Sequence, residues 1–264
     1  MGLRPEANES DTVPEQASTY RHPYLKQIVT RVDLANPLEY LPPAIDRVAA
    51  SVRGVLPTAD TQQIFSMQVT VGPRPTFQQN PIGKVYRFVN RETSNTLVLE
   101  PNSIILDIRT YVPYSVRRNA IQSVIDSLQE RAGSLDVSRT GIRYINTIVL
   151  ESGDPFDWTG LITDSLLASM SFAQNHEEVA RATGSFYFAR EICDILFQYG
   201  LFNSEFPNPI ARKEFLLDID CFTTEPSRLA TVSATLDVLR TEANGLFERC
   251  IQDDLRNLMR REIT

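Results

Sequence analysis

The run Arg139-Thr140-Gly141-Ile142-Arg143-Tyr144-Ile145-Asn146-Thr147-Ile148-Val149-Leu150 constrains the fold more than any other stretch. It is an unbroken β-type sequence in which apolar residues come to occupy both faces by its second half. Such a strand is expected near the middle of a sheet, covered on both sides. Two other segments are built to lie beside or against it: Ser103 to Tyr111 with the helix that follows, and Phe215 to Phe222 with a long helix beyond.

From the N-terminal side, residues 1 to 20 are polar and acidic and read as a disordered tail. Tyr24 to Leu34 alternates Ile28, Val32 and Leu34 as a strand, and Pro37 ends it. After Pro42-Pro43, Ala44, Ile45, Val48, Ala49, Val52, Val55 and Leu56 recur at helical spacing in a helix that Pro57 closes. Strands are expected over 64–71, 84–90, 96–99 and 103–111, with Pro73 to Pro81 as a long loop. Tyr114 to Ala132 reads as an amphipathic helix stopped by Gly133. After the central strand come a helix from Leu161 to about Ala173, a strand from Ser185 to Glu191, and a connection through 192–213, where Pro207 and Pro209 fall. Past Pro226, Val232, Leu236, Leu239, Ala243, Leu246 and Cys250 step by four and three, and Phe247, Ile251, Leu255 and Leu258 widen the stripe. That face is too broad for a two-helix seam and suits packing across a sheet. Gly245 within it suggests a close contact or a bend.

The fold class this implies is α+β: a mixed, largely antiparallel sheet with helices packed on it and a long C-terminal helix. Residues 21–264 read as one domain. The order strand, helix, strands occurs twice, over 24–150 and 151–264, and suggests two similar layers; that likeness is topological, without matching residues.

A chain of 264 residues buries about 70–75% of its unfolded surface, so a substantial core is available. A net charge of −7 disfavours a phosphate backbone as principal partner. The lysines are Lys26, Lys84 and Lys213, so positive charge is mostly arginine, suited to bidentate contacts. Cys193, Cys221 and Cys250 are odd in number and far apart, as expected of reduced core thiols. No stretch approaches the ~20 apolar residues of a membrane span, and no signal-peptide core occurs in residues 1–19. The expected compartment is the cytoplasm, with no membrane contact.

Chemistry is sparse. His22 and His176 are the histidines and belong to no zinc-type spacing. There is no nucleophile elbow and no phosphate-binding glycine loop, so neither a catalytic residue nor a cofactor is expected. Asp218 and Asp220 project from one strand face and, with Asp107, offer an oxygen site for magnesium or manganese; pairing with Arg109, Arg139 or Arg143 is the competing reading. Arg87, Arg109, Arg139 and Arg143, near Tyr86, Tyr111 and Tyr144, could make a basic aromatic face for stacking bases or holding an acidic partner.

The segments Arg139-Thr140-Gly141-Ile142-Arg143-Tyr144-Ile145-Asn146, Leu217-Asp218-Ile219-Asp220, Leu246-Phe247-Glu248 and Ile251 to Leu255 together resemble a sporadically distributed, functionally uncharacterised family of bacterial and archaeal proteins. The resemblance covers most of residues 24–264. Where members of that family often carry a histidine in the last helix, this chain has Thr241, Glu242 and Ala243. The scattered occurrence of the family implies an accessory gene, such as a defence or toxin-neutralising component. The leading expectation is therefore a non-enzymatic protein-interaction protein, with Arg109, Arg139, Arg143, Tyr144 and Asn146 as the candidate binding set and a homodimer compatible with it. The alternative is a protein that binds or processes nucleic acid through the arginine-tyrosine face, with a metal on Asp218, Asp220 and Asp107.

Overall fold

The computed structural model describes residue 20 and residues 24–70, 76–128, 135–168, 170–172 and 175–260, those at 64–70 and 76–82 through their backbone. Apart from Tyr20, the expected tail lies outside the described residues. Tyr20 itself is buried, and its hydroxyl donates to Glu248 Oε1 at 2.8 Å.

Ten strands form one sheet: β1 (Leu25–Leu34), β2 (Thr58–Thr70), β3 (Thr76–Asn90), β4 (Asn95–Glu100), β5 (Ser103–Ile108), β6 (Asp136–Leu150), β7 (Ala182–Ala189), β8 (Asp194–Leu201), β9 (Lys213–Thr223) and the short β10 (Ser227–Arg228). Their spatial order is β2-β3-β4-β5-β1-β6-β9-β8-β7, with β10 on β6. Every described ladder is antiparallel. The helices are α1 (Pro42–Val52), α2 (Tyr114–Ser127), the single turn α3 (Asp164–Leu167), α4 (Val232–Cys250) and α5 (Asp253–Arg260).

β6 lies inside the sheet, between β1 and β9, as its apolar run requires. Among the described residues, helices cover only one of its faces, where the sequence led us to expect cover on both. Its even positions Ile142, Tyr144, Asn146 and Ile148 are buried, whereas Arg143, Ile145, Thr147 and Val149 are half-exposed. The same alternation runs through β1, β4, β5 and β8. Helices therefore form one layer: α4 crosses β6 and β9, and α1 packs on α2, which touches α4. Leu236, Leu239, Ala243, Leu246 and Phe247 supply the apolar stripe of α4, and each large side chain buried there is worth about 1.5–3 kcal/mol.

Five local expectations are corrected. The 73–81 loop is strand from Thr76 onward, and Pro81, which has no N–H for a ladder, is absorbed by a register shift between Ile64 and Phe65 of β2. Residues 194–201 within the expected connection are β8, whose Ile195, Phe197, Tyr199 and Leu201 all face the core. The helix expected from Leu161 is reduced to α3 and a 3-10 turn at Met170–Phe172. The C-terminal helix is split at Ile251, which bridges to Ile162; Thr163 N–H donates to Cys250 O and Gln252 N–H to Leu161 O. Gly245 sits in continuous helix with nothing within 4 Å of where a Cβ would stand, so no close contact requires it.

About the β1–β6 ladder the strands run in a similar order, five on one side and four on the other. On one side β1, α1 and the meander β2 to β5 return β5 against β1, and α2 follows; on the other β6, α3 and β7 to β9 return β9 against β6, and α4 follows. So β6 opens the second half. The register also brings out a residue likeness that direct comparison of the halves misses. Leu106-Asp107-Ile108 in β5 and Leu217-Asp218-Ile219 in β9 occupy matching places, Asp107 opposite Val29 and Asp218 opposite Ile145. Each aspartate bonds the residue two positions earlier on the facing strand: Gln27 Nε2 donates to Asp107 Oδ1 at 2.8 Å, and Arg143 Nε to Asp218 Oδ1 at 2.7 Å.

Candidate interaction face of the sheet

One cross-strand row runs the whole width of the helix-free face: Thr58, Val89, Thr96, Asp107, Val29, Arg143, Asp220, Leu196 and Tyr187, one residue from each strand in turn. Beside it lie Gln27, Ile145, Asp218 and Gln198 in register. Period two dictates which residues belong here. Arg139, Arg143, Asp218 and Asp220 share this face. Tyr144 and Asn146 point the other way.

Near the middle, two arginine–aspartate pairs neutralise each other. Arg143 grips Asp218 through Nε at 2.7 Å and Nη2 at 2.5 Å. Asp218 is 7% exposed at its side chain and Arg143 43%, so the carboxylate is enclosed and the guanidinium reaches solvent. That bond holds the Arg143 proton more tightly than usual. Arg139 Nη2 donates to Asp220 Oδ2 at 3.1 Å. Burial pushes the Asp220 carboxyl above its ordinary range, against the pull of Arg139 and Arg143. Gly141 explains the spacing of the arginines: a Cβ there would stand 3.1 Å from Arg139 Nη1, so its absence lets that guanidinium lie down on the strand. Arg139 stacks 4.5 Å over the ring of Phe222, the residue opposite Gly141.

The remaining candidates are more scattered. Arg109, just past β5, is exposed and reaches Asp107 at 3.4 Å. Arg87 is exposed on β3, opposite Asp60 and Val98 and therefore on the same face. Tyr144 is buried under the helices with the Arg117 guanidinium 5.9 Å from its ring centre, and burial raises its hydroxyl pKa. Asn146 is buried too, its Nδ2 donating to Leu217 O at 3.3 Å. The three aspartates do not converge. Asp107 and Asp220 stand in one row with Val29 and Arg143 between them, three strand spacings or about 14 Å apart. Among the described residues, no group of three or more histidine, cysteine or acidic side chains is placed to hold a metal. His176 is exposed and stacks on Phe156 at 3.9 Å. The three cysteines are free and buried.

No family model matches the chain, and no curated protein matches it. What the face can do follows from its geometry. It offers partly buried aliphatic side chains (Val29, Ile105, Val98, Ile145, Leu196, Leu216) around the paired charges of Arg139, Arg143, Asp218 and Asp220. Sequence reasoning misses Ile145 as surface because residues 139–150 are expected to be covered on both sides. No described helix is long and apolar enough to cross a membrane.

Proposed function

We propose that the chain is a binding protein without chemistry of its own, which docks a protein partner on the helix-free face of its sheet. The observation that carries this is the pattern of β6: apolar residues occupy both faces of its second half, yet helices cover one. Ile145 and Val149, with Val29 and Leu216 on the adjacent strands, form apolar surface of the kind that marks interaction sites. The internal pairing of Arg139 and Arg143 also favours protein over nucleic acid, since counterion release needs guanidinium groups available to phosphates. Interface cores are depleted of unpaired charge, and the half-exposed Arg143 suits a partner's carboxylate or carbonyl.

The test compares the wild type with Ile145→Lys, purified from the native host, with thermal melting as the folding control. A partner retained by the wild type and lost from a folded Ile145→Lys protein is the expected result. No stable co-purifying macromolecule, or retention by both proteins, contradicts it. In parallel, RNA and DNA oligonucleotides titrated at two salt concentrations should show no salt-dependent affinity; a steep salt slope would instead favour the nucleic-acid reading.

A further inference from the structure

β7 is the last strand of the sheet, and among the described residues no strand pairs with its outer edge. It is eight residues long, Ala-Thr-Gly-Ser-Phe-Tyr-Phe-Ala, with no charge, no proline and no bulge in its ladder to β8. Ser185, Phe186 and Tyr187 are all exposed, so neither face is covered in its middle; Phe186 is 46% and Tyr187 59% exposed. Native proteins blunt such an edge with lysine, proline, a bulge or a covering loop, because its unpaired N–H and C=O groups template another strand. β7 contains no lysine, no proline and no bulge. Its aromatic residues are instead organised: Phe186 lies 5.7 Å from Tyr199 and 5.8 Å from Phe188, ring centre to ring centre.

Charge appears immediately outside the strand and decides the partner. Arg181 precedes β7 and Glu191 follows it by two residues, both exposed. Arg181 is already posed, Nη2 donating to Asn203 O at 3.4 Å with the guanidinium 4.4 Å over the Phe206 ring. An antiparallel pairing of β7 with itself, centred on Phe186, sets Arg181 of each copy against Glu191 of the other. The same register stacks Phe186 on its counterpart at the two-fold axis and lays Phe188 beside Gly184.

We propose that β7 pairs edge to edge with β7 of a second copy in this register, joining two sheets into one across a two-fold axis. The inference is independent of the partner on the helix-free face, which the pairing leaves open on both copies.

Sedimentation of the full chain over a range of concentrations reads the result. A reversible dimer is expected, with Glu191→Arg weakening it about tenfold and Arg181→Glu added to Glu191→Arg restoring it. Register is read by cross-linking. Under oxidised glutathione, Phe186→Cys should give a covalent dimer, its Cα atoms being about 4.5–5.5 Å apart at the axis, within disulfide reach. Ser185→Cys should not, since its own counterpart lies about 8 Å away. A chain that stays monomeric, a dimer indifferent to Glu191→Arg, or cross-linking at Ser185→Cys in place of Phe186→Cys overturns the proposal.

Discussion

Asp218 is a carboxylate enclosed at the centre of a sheet, and Arg143 is what makes that tolerable. Breaking the pair from the arginine side leaves a desolvated charge. Arg143→Ala is therefore expected to cost about 1–3 kcal/mol in urea unfolding, tempered by the exposure of the guanidinium. Adding Asp218→Leu should recover most of that loss, because an apolar replacement of both partners removes the unpaired charge. A double variant as unstable as Arg143→Ala alone would contradict the reading. Asp237, at the contact of α4 with α2, behaves differently with pH. Burial works to raise its pKa, but hydrogen bonds from Arg118 Nε (3.0 Å) and Tyr114 Oη (2.6 Å) outweigh burial and hold it below the usual carboxylate range. A depressed folded-state pKa means that its stabilisation is full above the unfolded value, about 3.9, and fades as pH falls through the folded one. The melting-temperature gap between wild type and Asp237→Asn should be constant near neutrality and close below about pH 4. A gap that widens on acidification would reverse the assignment.

Among the elements, α4 is the one whose sequence announced it most fully. Its stripe from Val232 to Cys250 is the buried face observed. What the stripe could not convey is its end, because Ile251 continues the period while the chain leaves the helix to bridge Ile162, a tertiary contact with no local signal. Gly245 remains a local weakness. With open space at its Cβ position and helix on both sides, Gly245→Ala should stabilise the protein by up to about 1 kcal/mol. A loss in chemical denaturation would mean that the glycine serves something other than the helix. β8 was legible and was passed over. Ile195, Phe197, Tyr199 and Leu201 alternate cleanly, but the prolines downstream pulled the whole stretch toward a connection. For β3 the difficulty was real, since a proline inside a ladder is tolerated only with a register shift that depends on the facing strand.

At the scale of the whole molecule, the sequence carried the class of fold, the interior place of β6 and the pairing of arginines with aspartates. It did not carry which face lacked cover. Alternation of Ile145 and Val149 with Ile142 and Ile148 says that both faces are apolar, whereas cover depends on where α1, α2 and α4 pack. Nor did it separate Tyr144 and Asn146 from the arginines, although the two-residue period of a strand already assigns them to the other side. The likeness of Leu106-Asp107-Ile108 to Leu217-Asp218-Ile219 shows only when β5 and β9 are set against the strands they face.

The claim on which the rest depends is that one face of the sheet lies under helices and the other is open. Thiol labelling of the native protein tests it directly, since Cys193, Cys221 and Cys250 are buried and burial pushes the Cys250 thiol up to about 12. Ile145→Cys should react with a small maleimide at the rate of an accessible thiol, and Ile142→Cys only when the protein unfolds. Equal protection at the two positions would contradict the account.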